Sequence, residues 1–115
     1  MRLRSDIWVA AYLRRCEVEG VNAVLRRRGA AEAGAIFVKV DHLNGSATLY
    51  GPAPQSVAAD APRGVDRIFA RAHTGQLIDS DDAEERLRRE IAFDPDLWVV
   101  EVENGVYGAW LDLAP

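Results

Sequence analysis

The sequence is short of the residues that staple a small protein or equip it for chemistry. Cys16 is its one cysteine, which excludes an intrachain disulfide and a cysteine-based zinc cluster. No run of about 18 apolar residues occurs, so nothing has the length of a membrane-spanning helix, and no membrane partner is expected. Lys39 is the one lysine among 14 basic residues; the arginine bias reads first as genomic composition and only second as a demand for guanidinium forks on an anion. Gly29 and Gly34 stand alone with no Gly-Lys-Ser/Thr after them, so there is no phosphate loop. A dinucleotide fingerprint and a Gly-x-Ser-x-Gly elbow are also missing. No cofactor is therefore expected, and no catalytic residue is assigned. A net charge of -4 argues against a dedicated nucleic-acid binder. Asp6 interrupts the Met-Arg-Leu-Arg start before any signal-like apolar stretch forms, so cytoplasm is the expected compartment.

What is present suffices for a core. The 115 residues fit one globular domain, 1–115, able to bury roughly two thirds of its unfolded surface. Ser5 is the expected N-cap of a first helix from Asp6 to about Glu19, stopped by Gly20. Val9, Tyr12, Leu13 and Cys16 form its inward stripe, Cys16 is expected to be an inert core thiol, and Trp8 beside them is read as packing. Val21 to Arg28 alternates as a strand, which separates Arg27 from Arg26 and Arg28. Gly34 to Gly51 reads as a hairpin around Asn44-Gly45. A two-residue turn there pairs Leu43 with Ser46, Val40 with Leu49 and Lys39 with Tyr50. It sorts Ile36, Val38, Val40, Ala47 and Leu49 onto one face, and Phe37, Lys39, Asp41, Thr48 and Tyr50 onto the other.

Gln55 to Gly64 reads as a surface loop. Val65 to His73 matches strand and helix alternation equally and is taken as a strand. A second helix opens at Ser80 or Asp81 as cap. It carries Ala83, Leu87 and Ile91 inward and Glu84–Arg88 and Glu85–Arg89 pairs outward, and it ends before Pro95. Leu97 to Glu103 and Val106 to Leu111 read as a second hairpin around Asn104-Gly105, with one covered and one wet face. The expected fold is α+β: a twisted, largely antiparallel sheet of about five or six strands with two main helices.

Several stretches carry a likeness: Ile7 to Cys16, Arg27-Arg28-Gly29 leading to Ala33-Gly34-Ala35-Ile36, Gly51-Pro52-Ala53-Pro54, and Phe93-Asp94-Pro95-Asp96-Leu97-Trp98-Val99-Val100-Glu101. On these the whole chain resembles an uncharacterised family of short alphaproteobacterial proteins, a domain of unknown function. Where the family often carries an acidic residue after Arg-Arg-Gly, this chain has Ala30. The resemblance implies a small bacterial cytosolic protein and brings no established activity, catalytic residue or cofactor.

The leading functional expectation is a small cytosolic non-enzymatic binding or protein-interaction module, self-associating as a homodimer. Phe37, Tyr50, Val99 and Trp110 on the wetter sheet faces are its candidate interface. The alternative is a small enzyme or anion-binding protein in which Arg14, Arg15, Arg27, Arg28, Asp94 and Asp96 converge in one cleft. Asp94-Pro95-Asp96 also has a plain reading as a turn. A third reading is weak nucleic-acid contact through arginines and aromatics. No metal is expected. His42 and His73 could meet across the sheet but lack a third ligand, and Asp79, Asp81 and Asp82 lack the spacing of a calcium loop.

Overall fold

The computed structural model describes residues 2–60, 64–103 and 107–115. The first helix, α1, spans Ser5–Val18. Val9, Tyr12 and Cys16 recur at helical spacing and are buried, as the stripe requires. Trp8 stacks on Tyr12 with ring centroids 5.1 Å apart. Ser5 is not the cap. It is the first helical residue, fully buried, and its hydroxyl donates to the Gly34 carbonyl at 2.7 Å. The leading N–H groups of Ser5 and Asp6 are taken by the Glu32 and Ala31 carbonyls, so the following loop does the work of a capping side chain.

β1 (Ala23–Arg27), β2 (Ile36–Asp41), β3 (Ser46–Pro52), β4 (Phe69–Arg71), β5 (Ile78–Asp79) and β6 (Trp98–Glu103) form one sheet. Its order is β1-β6-β2-β3-β4, with β5 also on β3. Every pairing is antiparallel except β2 with β6. A parallel neighbour demands a long crossover, and the crossover contains α3 (Ser80–Phe93). α1 and α3 lie on opposite faces. Val9, Tyr12 and Cys16 pack on Ile36, Val38, Val40, Trp98, Val100 and Val102. Leu87 packs on Phe37, Leu49, Leu97 and Val99. The sheet fills the middle layer, and neither side of its central strands is wet.

This layering corrects several sequence expectations. The first hairpin pairs Val38 with Tyr50, Lys39 with Leu49 and Val40 with Thr48, one residue away from the expected register. The loop takes a third residue. His42 N–H donates to the Ser46 carbonyl, and Leu43 joins Gly45 at positive φ, 62° and 88°. Asp41 and Asn44 carboxyl and amide oxygens hold the Leu43 and Ser46 N–H groups. A one-residue slip turns over every side chain of a strand, so Tyr50 joins Val38 under α1 and Leu49 joins Phe37 under α3.

The second hairpin fails for a topological reason. β6 already has β1 on one edge and β2 on the other, so no edge remains for a returning strand. Asn104 and Gly105 lie outside the described residues, and Tyr107–Trp110 is a single 3-10 turn. The 55–64 loop begins with a short helix, α2 (Gln55–Ala58), and the ambiguous segment is a strand only over Phe69–Arg71. The α3 cap is Asp79, which accepts the Asp81 N–H. The helix pairs are Arg88 with Glu85 and Arg86 with Glu90, because Glu84 is drawn to the sheet.

Candidate functional site

The six residues proposed as one charged cluster divide. Arg15 lies over the Trp110 ring, 5.5 Å from its centroid, and Arg14 is an exposed residue of the same helix. Arg27 and Arg28 reach the corner where the β1–β2 loop passes the α3–β6 turn that carries Asp94 and Asp96, but no guanidinium–carboxylate pair joins them among the described residues. There Arg27 donates to the Pro95 carbonyl at 2.6 Å, and Arg28 stacks over Trp98 at 5.4 Å. The Asp94 carboxylate accepts the Asp96 N–H. These contacts are internal to the corner. A register shift between Leu25 and Arg27 breaks the expected alternation: Arg26 turns to α3 and Arg28 to the opposite face.

The four proposed interface residues are also not a bare surface. Phe37 and Val99 are buried beneath α3, and Tyr50 is buried in the α1 core. Trp110 is partly buried against that same core.

A different constellation surrounds a cleft of about 420 Å³ on the α1 side of the sheet, over β3 and β4. It exists because the edge of β3 is interrupted. β5 pairs with Ser46 and Ala47, and β4 with Tyr50 to Pro52, so on the edge of β3 away from β2 Thr48 and Leu49 have no strand beside them. The 72–77 loop fills the gap. Ala72 N–H donates to the Leu49 carbonyl, and His73 Nε2 accepts the Leu49 N–H at 3.1 Å. The Thr48 hydroxyl donates to the Gln76 carbonyl at 2.8 Å and lies 2.9 Å from His42 Nε2.

Both imidazoles, Thr48, Tyr50 and Arg71 therefore converge on this cleft, with Val40 and Phe69 as apolar floor. Arg71 is exposed and makes no ion pair among the described residues. None of the described residues lining the space is Asp or Glu, although the chain has 18 of them. The His73 lone pair at Nε2 is engaged by Leu49, which removes it as a metal ligand through that atom. No group of three metal-ligating side chains is found among the described residues.

Residues 3–111 match the family described as "Protein of unknown function (DUF1491)". The chain belongs to the DUF1491 family. It is similar to a solved structure of protein Atu0922 from A. tumefaciens, with 42% identity over 98% of this chain and 95% of that one and a TM-score of 0.78. A DUF1491 crystal structure from Caulobacter crescentus CB15 gives 36% identity, 90% and 87% coverage, and a TM-score of 0.71. An NMR structure from the same organism gives 33%, 100% and 99%, and 0.75. No curated protein matches.

Two of the stretches that carry the DUF1491 likeness clasp one another. The Ala30 N–H donates to the Asp96 carbonyl, and Trp98 Nε1 donates to the Ala30 carbonyl at 2.8 Å. A Cβ at Gly29 or Gly34 would come within 2.2 or 2.4 Å of the Asp96 carbonyl oxygen, so glycine is required there by close approach. The likeness at this corner thus reports a packing device. Sequence reasoning found His42 and His73 but missed Arg71, Thr48 and Gln76, because only the interrupted edge of β3 brings them together.

Proposed function

We propose that this DUF1491 chain is a non-enzymatic binding module that takes a small anionic ligand in the cleft over β3 and β4. The observation that carries the reading is an exposed guanidinium, Arg71, that has no ion pair among the described residues and stands beside two imidazoles in a cleft where none of the described lining residues is Asp or Glu. An apolar floor with a few convergent polar groups is the usual make-up of a small-ligand site, and a planar fork suits a carboxylate or phosphate. The Thr48 hydroxyl, 2.9 Å from His42 Nε2, already gives its proton to the Gln76 carbonyl, so that imidazole is placed to donate to it rather than to activate it. Cys16 is buried on the far stripe of α1, and burial pushes its thiol up, the reverse of what reactivity needs.

The test is a titration with inorganic phosphate, citrate and adenosine monophosphate, followed by backbone amide NMR. At least one is expected to shift the amides of His42, Thr48, Arg71 and His73 together, and Arg71→Gln to weaken that response about tenfold. No coherent shift with any of the three, or an unchanged response in Arg71→Gln, overturns the reading.

Self-association is the second reading, through the patch around the end of α3 rather than through Tyr50, Val99 and Trp110. Phe93 ends α3 with 89% of its surface exposed. It borders a groove of about 410 Å³ whose walls include Ala35, Phe37, Pro52 and Ala72. A knob and a groove on one patch are what a two-fold contact between copies requires.

A further inference from the structure

We propose that Arg2 and Arg67 form a second anion site, separate from the cleft over β3 and β4, that binds a small organic carboxylate with an apolar body. Arg67 is buried, with 6% of its surface exposed. One terminal nitrogen, Nη2, donates to the Leu3 carbonyl at 2.9 Å and the Ser5 hydroxyl at 3.1 Å. Those two acceptors are neutral and fix the guanidinium without cancelling its charge. Nη1 has no hydrogen-bond partner among the described residues, and Nε is buried and likewise makes no hydrogen bond.

One carboxylate pairs with Arg67, and loosely. Asp66 Oδ1 is held by the Leu3 N–H at 2.7 Å. Its Oδ2 makes an ion pair with Arg67 Nε at 3.6 Å, too long for a hydrogen bond, so both atoms keep unused hydrogen-bonding capacity. Arg2 lines the same pocket. Two guanidiniums against one carboxylate leave a net positive charge in a partly desolvated space, where like charges are costly and an anion is favoured. Burial first, and then repulsion from Arg2, push the Arg67 guanidinium down, with Asp66 offsetting less than either. That imbalance is what an arriving anion relieves.

The pocket holds about 350 Å³, and its other walls include Ala33, Ala35, Ala53, Val65 and Ile68. Gln55 and Asp66 share the lining with these small apolar side chains, and that mixture beside a guanidinium pair suits a carboxylate on a short hydrocarbon.

Hexanoate is the probe, with hexanamide as its neutral isostere and inorganic phosphate as the purely polar anion. Amide NMR is expected to show hexanoate shifting Ala33, Ala53 and Asp66 to Ile68, with hexanamide and phosphate each about tenfold weaker. Arg2→Gln removes an exposed side chain without touching the core and is expected to weaken hexanoate about tenfold. Arg71→Gln is expected to leave the hexanoate response of Ala33, Ala53 and Asp66 to Ile68 unchanged, which separates this site from the cleft over β3 and β4. Equal responses to hexanoate and hexanamide, no response to hexanoate, or an Arg2→Gln variant that binds it as the parent does, each overturns the proposal. Stronger binding of phosphate than hexanoate overturns the ligand class.

Discussion

Glu84 shows how one side chain can mislead a reading of sequence and then explain it. Lys39 sits on the α3 face of β2 with 5% of its side chain exposed, and its ammonium is 2.6 Å from the Glu84 carboxylate. Arg26 takes the same carboxylate at 2.7 Å and Glu101 at 3.0 Å. A charge on a strand reads as a solvent-facing position, yet here it is buried because a partner from α3 accompanies it. Replacing Glu84 by glutamine strands the lysine in the interior. We expect Glu84→Gln to lower unfolding free energy by about 2 kcal/mol, and a Glu84→Gln, Lys39→Met double variant to recover most of it. Urea denaturation measures both. The Arg26 hydrogen bond, then Lys39, hold the Glu84 carboxyl down at about 2. A depressed carboxyl contributes stability that is complete above its unfolded pKa and disappears as pH falls through the folded one. The urea midpoint is therefore expected to decline between about pH 5 and pH 2, and the Glu84→Gln variant to lose part of that decline.

At the scale of elements, the clasp between the β1–β2 loop and the α3–β6 turn joins both faces of the sheet. It supplies carbonyls to the start of α1 through Ala31 and Glu32, and it receives the Asp96 carbonyl from beyond α3. Gly29→Ala places a methyl against backbone that cannot swing aside, and the expected cost is about 3 kcal/mol in thermal or urea unfolding. Gly20→Ala serves as the contrast. Nothing lies within 4 Å of its added Cβ and the strain comes from φ of 75° alone, so about 1 kcal/mol is expected. Equal losses in the two variants would show that the clasp is not a close-packed joint.

For the whole molecule, the exposed Phe93 and its neighbouring groove are where the proposed self-association is tested. Light scattering at about 100 μM is expected to give a mass above that of one chain, and Phe93→Ser to return it to one chain with little loss of stability. A parent that scatters as one chain removes the self-association reading. The same scale decides how much could be read beforehand. The two main helices, the strands β1, β2, β3 and β6 and the α+β class follow from local periodicity: Val9, Tyr12 and Cys16 at helical spacing, Ile36, Val38 and Val40 at alternate positions, Gly20 and Pro95 as stops. Those are rules about neighbours in the chain, and a sequence states them directly. The hairpin register, the covering of both sheet faces, the fate of the strand expected after Asn104-Gly105 and the meeting of Arg71 with two imidazoles were decided only in three dimensions. Each depends on what lies beside a strand or above a sheet. A parallel β6 between β1 and β2, with a helix on either face, is a contact between distant segments that no local pattern encodes.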